Sequence, residues 1–124
     1  LLAILTEANP ILRTIDADGN HIVIVTLLRG EKALLLEEDF NRIIAQGYSP
    51  LWRMARARDG SCYVAIYGRS GRAAKFRPAI ADLVVERKRF QPLPIHLDNN
   101  PLNLRRDNLL IPQKQGGGQN PRPA

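Results

Sequence analysis

His96-Leu97-Asp98-Asn99-Asn100-Pro101-Leu102-Asn103-Leu104-Arg105-Arg106-Asp107-Asn108-Leu109 is the stretch on which the reading of this chain turns. Asn, Asp and Pro are turn formers whose short side chains bond to nearby backbone, so composition alone makes it a long polar turn. Pro92 to Leu97 reads as extended and Leu109 to Ile111 as a short returning strand, which leaves Asp98 to Asp107 as a loop between them. From Gln113 the chain is Gln, Gly, Asn and Pro, including Gly116-Gly117-Gly118. Too little apolar content remains there to form a core, so residues 113–124 are expected to be a flexible tail behind a single domain of 1–112.

Working towards the N-terminus, Pro78 to Arg89 predicts a helix, with Pro78 near its start and Arg87-Lys88-Arg89 at its negative end. Leu51 to Arg58 and Cys62 to Tyr67 alternate on either side of Asp59-Gly60, a hairpin signal, and Arg72 to Phe76 adds a short strand. These strands are expected to form a twisted basic sheet with Arg and aromatic residues turned outward, and mid-strand Cys62 is assigned to the core. Glu37-Glu38-Asp39 opens a helix, where acids suit the dipole, and Phe40, Ile43 and Ile44 make its apolar face before Gly47 stops it. Lys32 to Leu36 is a strand. Ile11 to Ile15 and His21 to Leu28 flank Asp16-Ala17-Asp18-Gly19-Asn20 as a hairpin. A calcium loop would need Gly at His21 and Glu at Leu27, so the turn itself is the simpler reading.

The chain has 124 residues and a net charge of +6, unevenly spread. Lys and Arg number four against seven acids through Ala45, ten against three from Gln46 to Phe90, and four against two beyond. A basic middle of this kind suits phosphate, and Arg forks suit it best. The apolar runs are too short to span a bilayer, and Leu1 to Leu5 lacks the basic start of a secretory signal. The single Cys62 excludes an intrachain disulfide and a multi-cysteine zinc site, so a cytoplasmic location, bacterial or phage-infected, is expected.

In order and spacing, His96, Asp98, Asn100, Pro101, Leu102, Asn103, Arg105, Asn108 and Leu109 resemble the core motif of the His-Asn-His (HNH) endonucleases of phage and homing type. The lead-in from Thr26 to Phe40, followed by Trp52 and Tyr63-Val64-Ala65, is similar to the strand, turn and helix pattern that precedes this motif, with the sheet layout of AP2-type domains. The resemblance covers roughly Ile22 to Ile111. It implies His96 as general base, Asn108 as the residue ordering the loop and imidazole, and Asp98, Asn100 and Asn103 as loop-ordering residues. It also implies duplex DNA as partner, and Mg or Mn as the divalent cofactor of an active form.

The resemblance breaks where the family binds metal. Ile95 stands where an Asp or His is usual, Lys75-Phe76-Arg77 replaces the upstream Leu-His-Arg, and Gly117 falls where a last helix brings a ligand, with Asn120 nearby before Pro121. The fold expected is α+β: a small antiparallel sheet with one or two helices, followed by an HNH-type ββ loop lacking a clear final helix. The function expected is DNA binding with impaired or absent cleavage, with phosphate contacts from Arg53, Arg56, Arg58, Arg69, Arg72, Arg77, Arg105 and Arg106. The alternatives are an active metal-dependent nickase and a non-enzymatic phage interaction protein.

Overall fold

A computed structural model describes residues 9–66, 78–88 and 90–112. Asp16 shapes the first turn: its Oδ1 accepts from the backbone N–H of Asp18 and of Asn20, both at 2.9 Å. Gly19 takes a φ of +87°, a conformation that L side chains resist, and closes the turn by donating to the Asp16 carbonyl. This joins β1 (Ile11–Ile15) to β2 (His21–Thr26), and a turn of the same build, through Gly30, joins β2 to β3 (Lys32–Leu36). The three strands form one antiparallel sheet in the order β1-β2-β3. Val23 pairs with Leu35 and Val25 with Ala33, and the period of two turns all four into the core.

Leu36 passes directly into α1 (Glu37–Ala45), which ends before Gly47. Phe40 and Ile43 are buried, and Ile44 packs partly buried against the same cluster. A second hairpin, β4 (Trp52–Arg56) and β5 (Cys62–Ile66), turns through Gly60. Trp52 is fully buried, its ring 5.6 Å from that of Phe40 and its indole N–H donating to the Ser49 carbonyl. The aromatic residue expected on the outer face therefore points inward, because Trp52 shares its face with Val64 and Ile66 in the core. Cys62 is exposed, a second departure: it sits at the first position of β5, beyond the reach of the core. Asn9 pairs with Trp52 like one more strand residue, its side chain donating to the Trp52 carbonyl and accepting from the Trp52 N–H.

The helix expected over Pro78 to Arg89 is shorter, α2 (Ile80–Val84). Its last carbonyls go elsewhere: Arg42 of α1 donates Nη2 to Leu83 O and Val84 O, at 2.6 and 3.1 Å. Glu86 then takes a φ of +55°, and Arg87 turns back to donate Nε to the Gln91 and Pro92 carbonyls. Last come β6 (Ile95–His96) and β7 (Leu109–Leu110), an antiparallel pair closed by a 3₁₀ turn over Arg106–Asn108. The architecture is α+β, with small antiparallel sheets and two helices among the described residues. None of these helices is long and apolar enough to cross a membrane. The strand expected over Arg72 to Phe76 and the tail 113–124 lie outside the described residues.

Asp39 holds these parts together. Its side chain is fully buried, and Oδ1 accepts from Arg42 at 2.8 Å and from Arg106 at 2.7 Å. That bond is the main reason the Arg106 guanidinium is held above its ordinary value. Removing one partner of a buried ion pair leaves the others uncompensated, so Asp39→Ala is expected to cost about 3 kcal/mol, read as the urea midpoint shift at constant slope. A loss no larger than that of an exposed control, Glu38→Ala, would contradict the role given to Asp39.

Candidate functional site

The loop from His96 to Asn108 is built from side chains folding back on their own backbone. Asp98 Oδ1 accepts from Asn100 N–H at 2.9 Å, Asn100 Oδ1 from Leu102 N–H at 3.0 Å, and Asn103 Oδ1 from Arg105 N–H at 3.4 Å. Each is a two-residue step of the kind Asn and Asp favour. Asn108, nearly buried, closes the loop from inside: its amide nitrogen donates to Asp98 Oδ1 and to the Asn103 carbonyl, and its Oδ1 accepts from Asp98 N–H. Asn103 Nδ2 donates to the remaining oxygen, Asp98 Oδ2, at 2.9 Å. With three N–H groups bonded to it besides its own backbone, the Asp98 carboxyl is held below its ordinary value, the Asn103 bond contributing most.

His96 joins this network at one point. Its Nδ1 lies 3.2 Å from the Asn103 carbonyl, the oxygen that also accepts from Asn108. A carbonyl only accepts, so the neutral ring carries its proton on Nδ1 and leaves Nε2 as the basic nitrogen. Asn108 therefore fixes the imidazole indirectly, by fixing the carbonyl it leans on. The structure brings His96, Asp98, Asn103 and Asn108 into one connected network, with Asn100 one bond further along it.

Two anchors hold the loop on the body. Backbone bonds from Leu34 N–H to the Leu102 carbonyl and from Leu104 N–H to the Leu34 carbonyl dock it on the free edge of β3, with Leu104 fully buried. Arg105 Nη1 reaches Asp16 at 3.1 Å and Arg106 reaches Asp39. Both arginines, assigned from sequence to phosphate, are engaged with carboxylates here and line a cavity with Asn20, Leu36 and Asp107.

His96 faces a different space. It lines a groove of about 570 Å³ together with Ser61, Cys62, Tyr63, Asp82, Leu93 and Pro94. Asp82 is raised from its ordinary value by burial, and Arg87, 3.5 Å away, offsets this in part. A second groove, of about 770 Å³, is lined by Arg29, Arg53 and Arg56 with Glu31, and it too reaches Cys62 and Tyr63. Cys62 and Tyr63, the first residues of β5, therefore line both grooves. Arg29 was not among the residues singled out from sequence: it belongs to the β2–β3 turn, and only the fold sets that turn beside β4. Arg58 is exposed in the β4–β5 turn, whereas Arg69, Arg72 and Arg77 lie outside the described residues, as do Phe76, Gly117 and Asn120.

Comparison of the chain with protein-family models, curated proteins and solved structures gives no match.

The lowered Asp98 carboxyl carries a pH signature. The folded chain keeps Asp98 ionised to lower pH than the unfolded chain does, so its contribution to stability is fully present above the ordinary value of about 3.9 and is lost as pH falls through the lowered folded value. The stability gap between wild type and Asp98→Asn, measured by urea unfolding, is expected to be wider at neutral pH than in strong acid. A gap that does not change with pH would count against the network.

Proposed function

We propose that this chain binds duplex DNA on an HNH-type ββ loop and its neighbouring Arg groove, with phosphodiester cleavage impaired or absent. The observation that carries the reading is the groove that gathers Arg29, Arg53 and Arg56, two of whose lining residues, Cys62 and Tyr63, also line the groove of His96. A half-buried imidazole, oriented through the Asn103 carbonyl, lines the second of these grooves. Phosphates lying along the Arg groove would release counterions and supply most of the affinity, while their register would bring the backbone past His96. Arg105 and Arg106 take no part in this surface in our reading; they pin the loop that carries His96.

Cleavage asks for more than an oriented base, because charge must be stabilised on the phosphate and on the leaving oxygen. The described residues do not fit a divalent cation beside His96. The Ile95 side chain carries no donor atom, and both Asp98 oxygens already accept from Asn100, Asn103 and Asn108, which a cation would have to displace or share. Among the described residues there is no group of three His, Cys, Asp or Glu side chains arranged to hold a metal. His96 Nε2 can still accept a proton or a hydrogen bond, and its role in this reading is to contact the DNA backbone.

Two assays test the proposal. In gel shift or anisotropy, duplex affinity should fall steeply with salt, and Arg53→Ala with Arg56→Ala should lower the log–log slope by about 1.8 if each arginine meets one phosphate. Incubation with supercoiled plasmid and Mg²⁺ or Mn²⁺ should give no nicking beyond that of His96→Ala. Metal-dependent nicking that disappears in His96→Ala would replace the proposal with an active nickase, and absence of DNA binding at low salt would sink it.

A further inference from the structure

Arg87-Lys88-Arg89 looks in sequence like a solvated basic run, yet the Arg87 side chain is only 25% exposed and is bonded to two parts of the fold. Its Nη1 lies 3.5 Å from Asp82 Oδ2 on α2, and its backbone N–H donates to the Asp82 carbonyl at 2.9 Å. Its Nε–H is shared between two successive carbonyls, Gln91 at 3.0 Å and Pro92 at 3.2 Å. The turn between them closes on itself: Lys88 N–H donates to Gln91 Oε1, and Gln91 N–H to the Lys88 carbonyl. Since Ile80, Ala81 and Val84 fix α2 in the core, Arg87 carries the position of a packed helix to the backbone at Pro92.

The residues after Pro92 pass that position on. Only Leu93, Pro94 and Ile95 separate it from His96. The Pro94 ring locks its own φ and holds Leu93 before it to extended backbone, so few soft torsions are left to absorb a shift at Pro92. His96 is therefore held from two directions. Its ring leans on the Asn103 carbonyl, and its backbone enters from the segment that Arg87 clamps. Asp82, Leu93, Pro94 and His96 line one groove, and Arg87 is bonded both to Asp82 and to the carbonyl just before Leu93.

We propose that Arg87 is the positioning residue of His96: it ties α2 to the Gln91 and Pro92 carbonyls, sets where the imidazole stands, and makes no phosphate contact of its own. This rests on the reading of His96 as a contact to the DNA backbone and names the residue that places it. Lysine cannot take over this part. It has a methylene where arginine has Nε, so Arg87→Lys keeps the charge and loses both carbonyl bonds.

The test reads the ring nitrogens of the whole ¹⁵N-labelled chain by NMR at alkaline pH, without DNA. In wild type the His96 pair is expected to be widely split, with the proton on Nδ1 facing the Asn103 carbonyl. In Arg87→Lys and Arg87→Ala the two His96 signals should move towards each other as the tautomers mix. Those of His21, the chain's other histidine and 70% exposed, should stay in place, as should His96 in the control Lys88→Ala. Duplex binding then separates clamp from phosphate contact: its log–log salt slope should be unchanged in Arg87→Ala, whereas a lost phosphate contact would lower it by about 0.9. His96 signals at their wild-type positions in Arg87→Lys, or that drop in slope, overturn the assignment. The ring signals need no DNA, so failure to bind duplex overturns the DNA reading alone and leaves the clamp to be judged on the ring signals.

Discussion

A single buried carboxylate sets the arrangement of everything that could act on a ligand. Asp39 sits on the first turn of α1 with no solvent exposure and must be matched by positive charge. Two arginines meet it from different directions. Arg42 comes from its own helix and carries on to the last carbonyls of α2, so it ties the two helices. Arg106 comes from the far end of the chain, where the 3₁₀ turn leads into β7. One oxygen of Asp39 thus fixes α2 against α1 and the polar loop against both. The position of His96 follows from that, since its partner Asn103 is docked on β3 by the backbone on either side.

Among the described residues the loop is packed on Leu102, Leu104 and Leu109 and ordered by its own polar side chains. Asp98, Asn100, Asn103 and Asn108 replace solvent with one another and with nearby backbone, and Asn108 serves two acceptors and one donor from an almost buried position. Such a network is strong only when complete, since any lost partner leaves a polar group stranded. Completeness also has a cost for chemistry: both Asp98 oxygens already accept hydrogen bonds, so another ligand there competes with the loop's own donors. The same bonds that orient the imidazole therefore engage Asp98, while the other nearby carboxylate, Asp82, is paired with Arg87.

Much of this was legible from residue order. The three hairpins follow from Gly19, Gly30 and Gly60 at positions where the turn demands a left-handed residue, and α1 follows from Phe40, Ile43 and Ile44 at helical spacing. The Asn and Asp steps of the loop follow from the local habits of those side chains. What escaped the sequence was long range. Asp39 looks like an ordinary acid in a helix's first turn paired with nearby Arg42, and only its distant partner Arg106 and the packing around it reveal it as buried. Arg105 and Arg106 look like free basic residues until Asp16 and Asp39 are found beside them. The helix after Pro78 looks longer than it is because Arg42, which takes its carbonyls, is remote in the chain. Arg29 joins Arg53 and Arg56 only through tertiary packing, and the groove at His96 combines segments that no local pattern connects.

The central claim is that the Arg groove and His96 act as one nucleic-acid surface while Arg105 and Arg106 serve the fold. NMR titration of the ¹⁵N-labelled chain with duplex DNA tests it most directly. The account predicts that signals of Arg29, Arg53, Arg56, Tyr63 and His96 shift together along one binding curve, with the Nε–H signals of Arg105 and Arg106 left in place. Shifts centred on Asn20, Arg105, Arg106 and Asp107, with His96 unmoved, would contradict it.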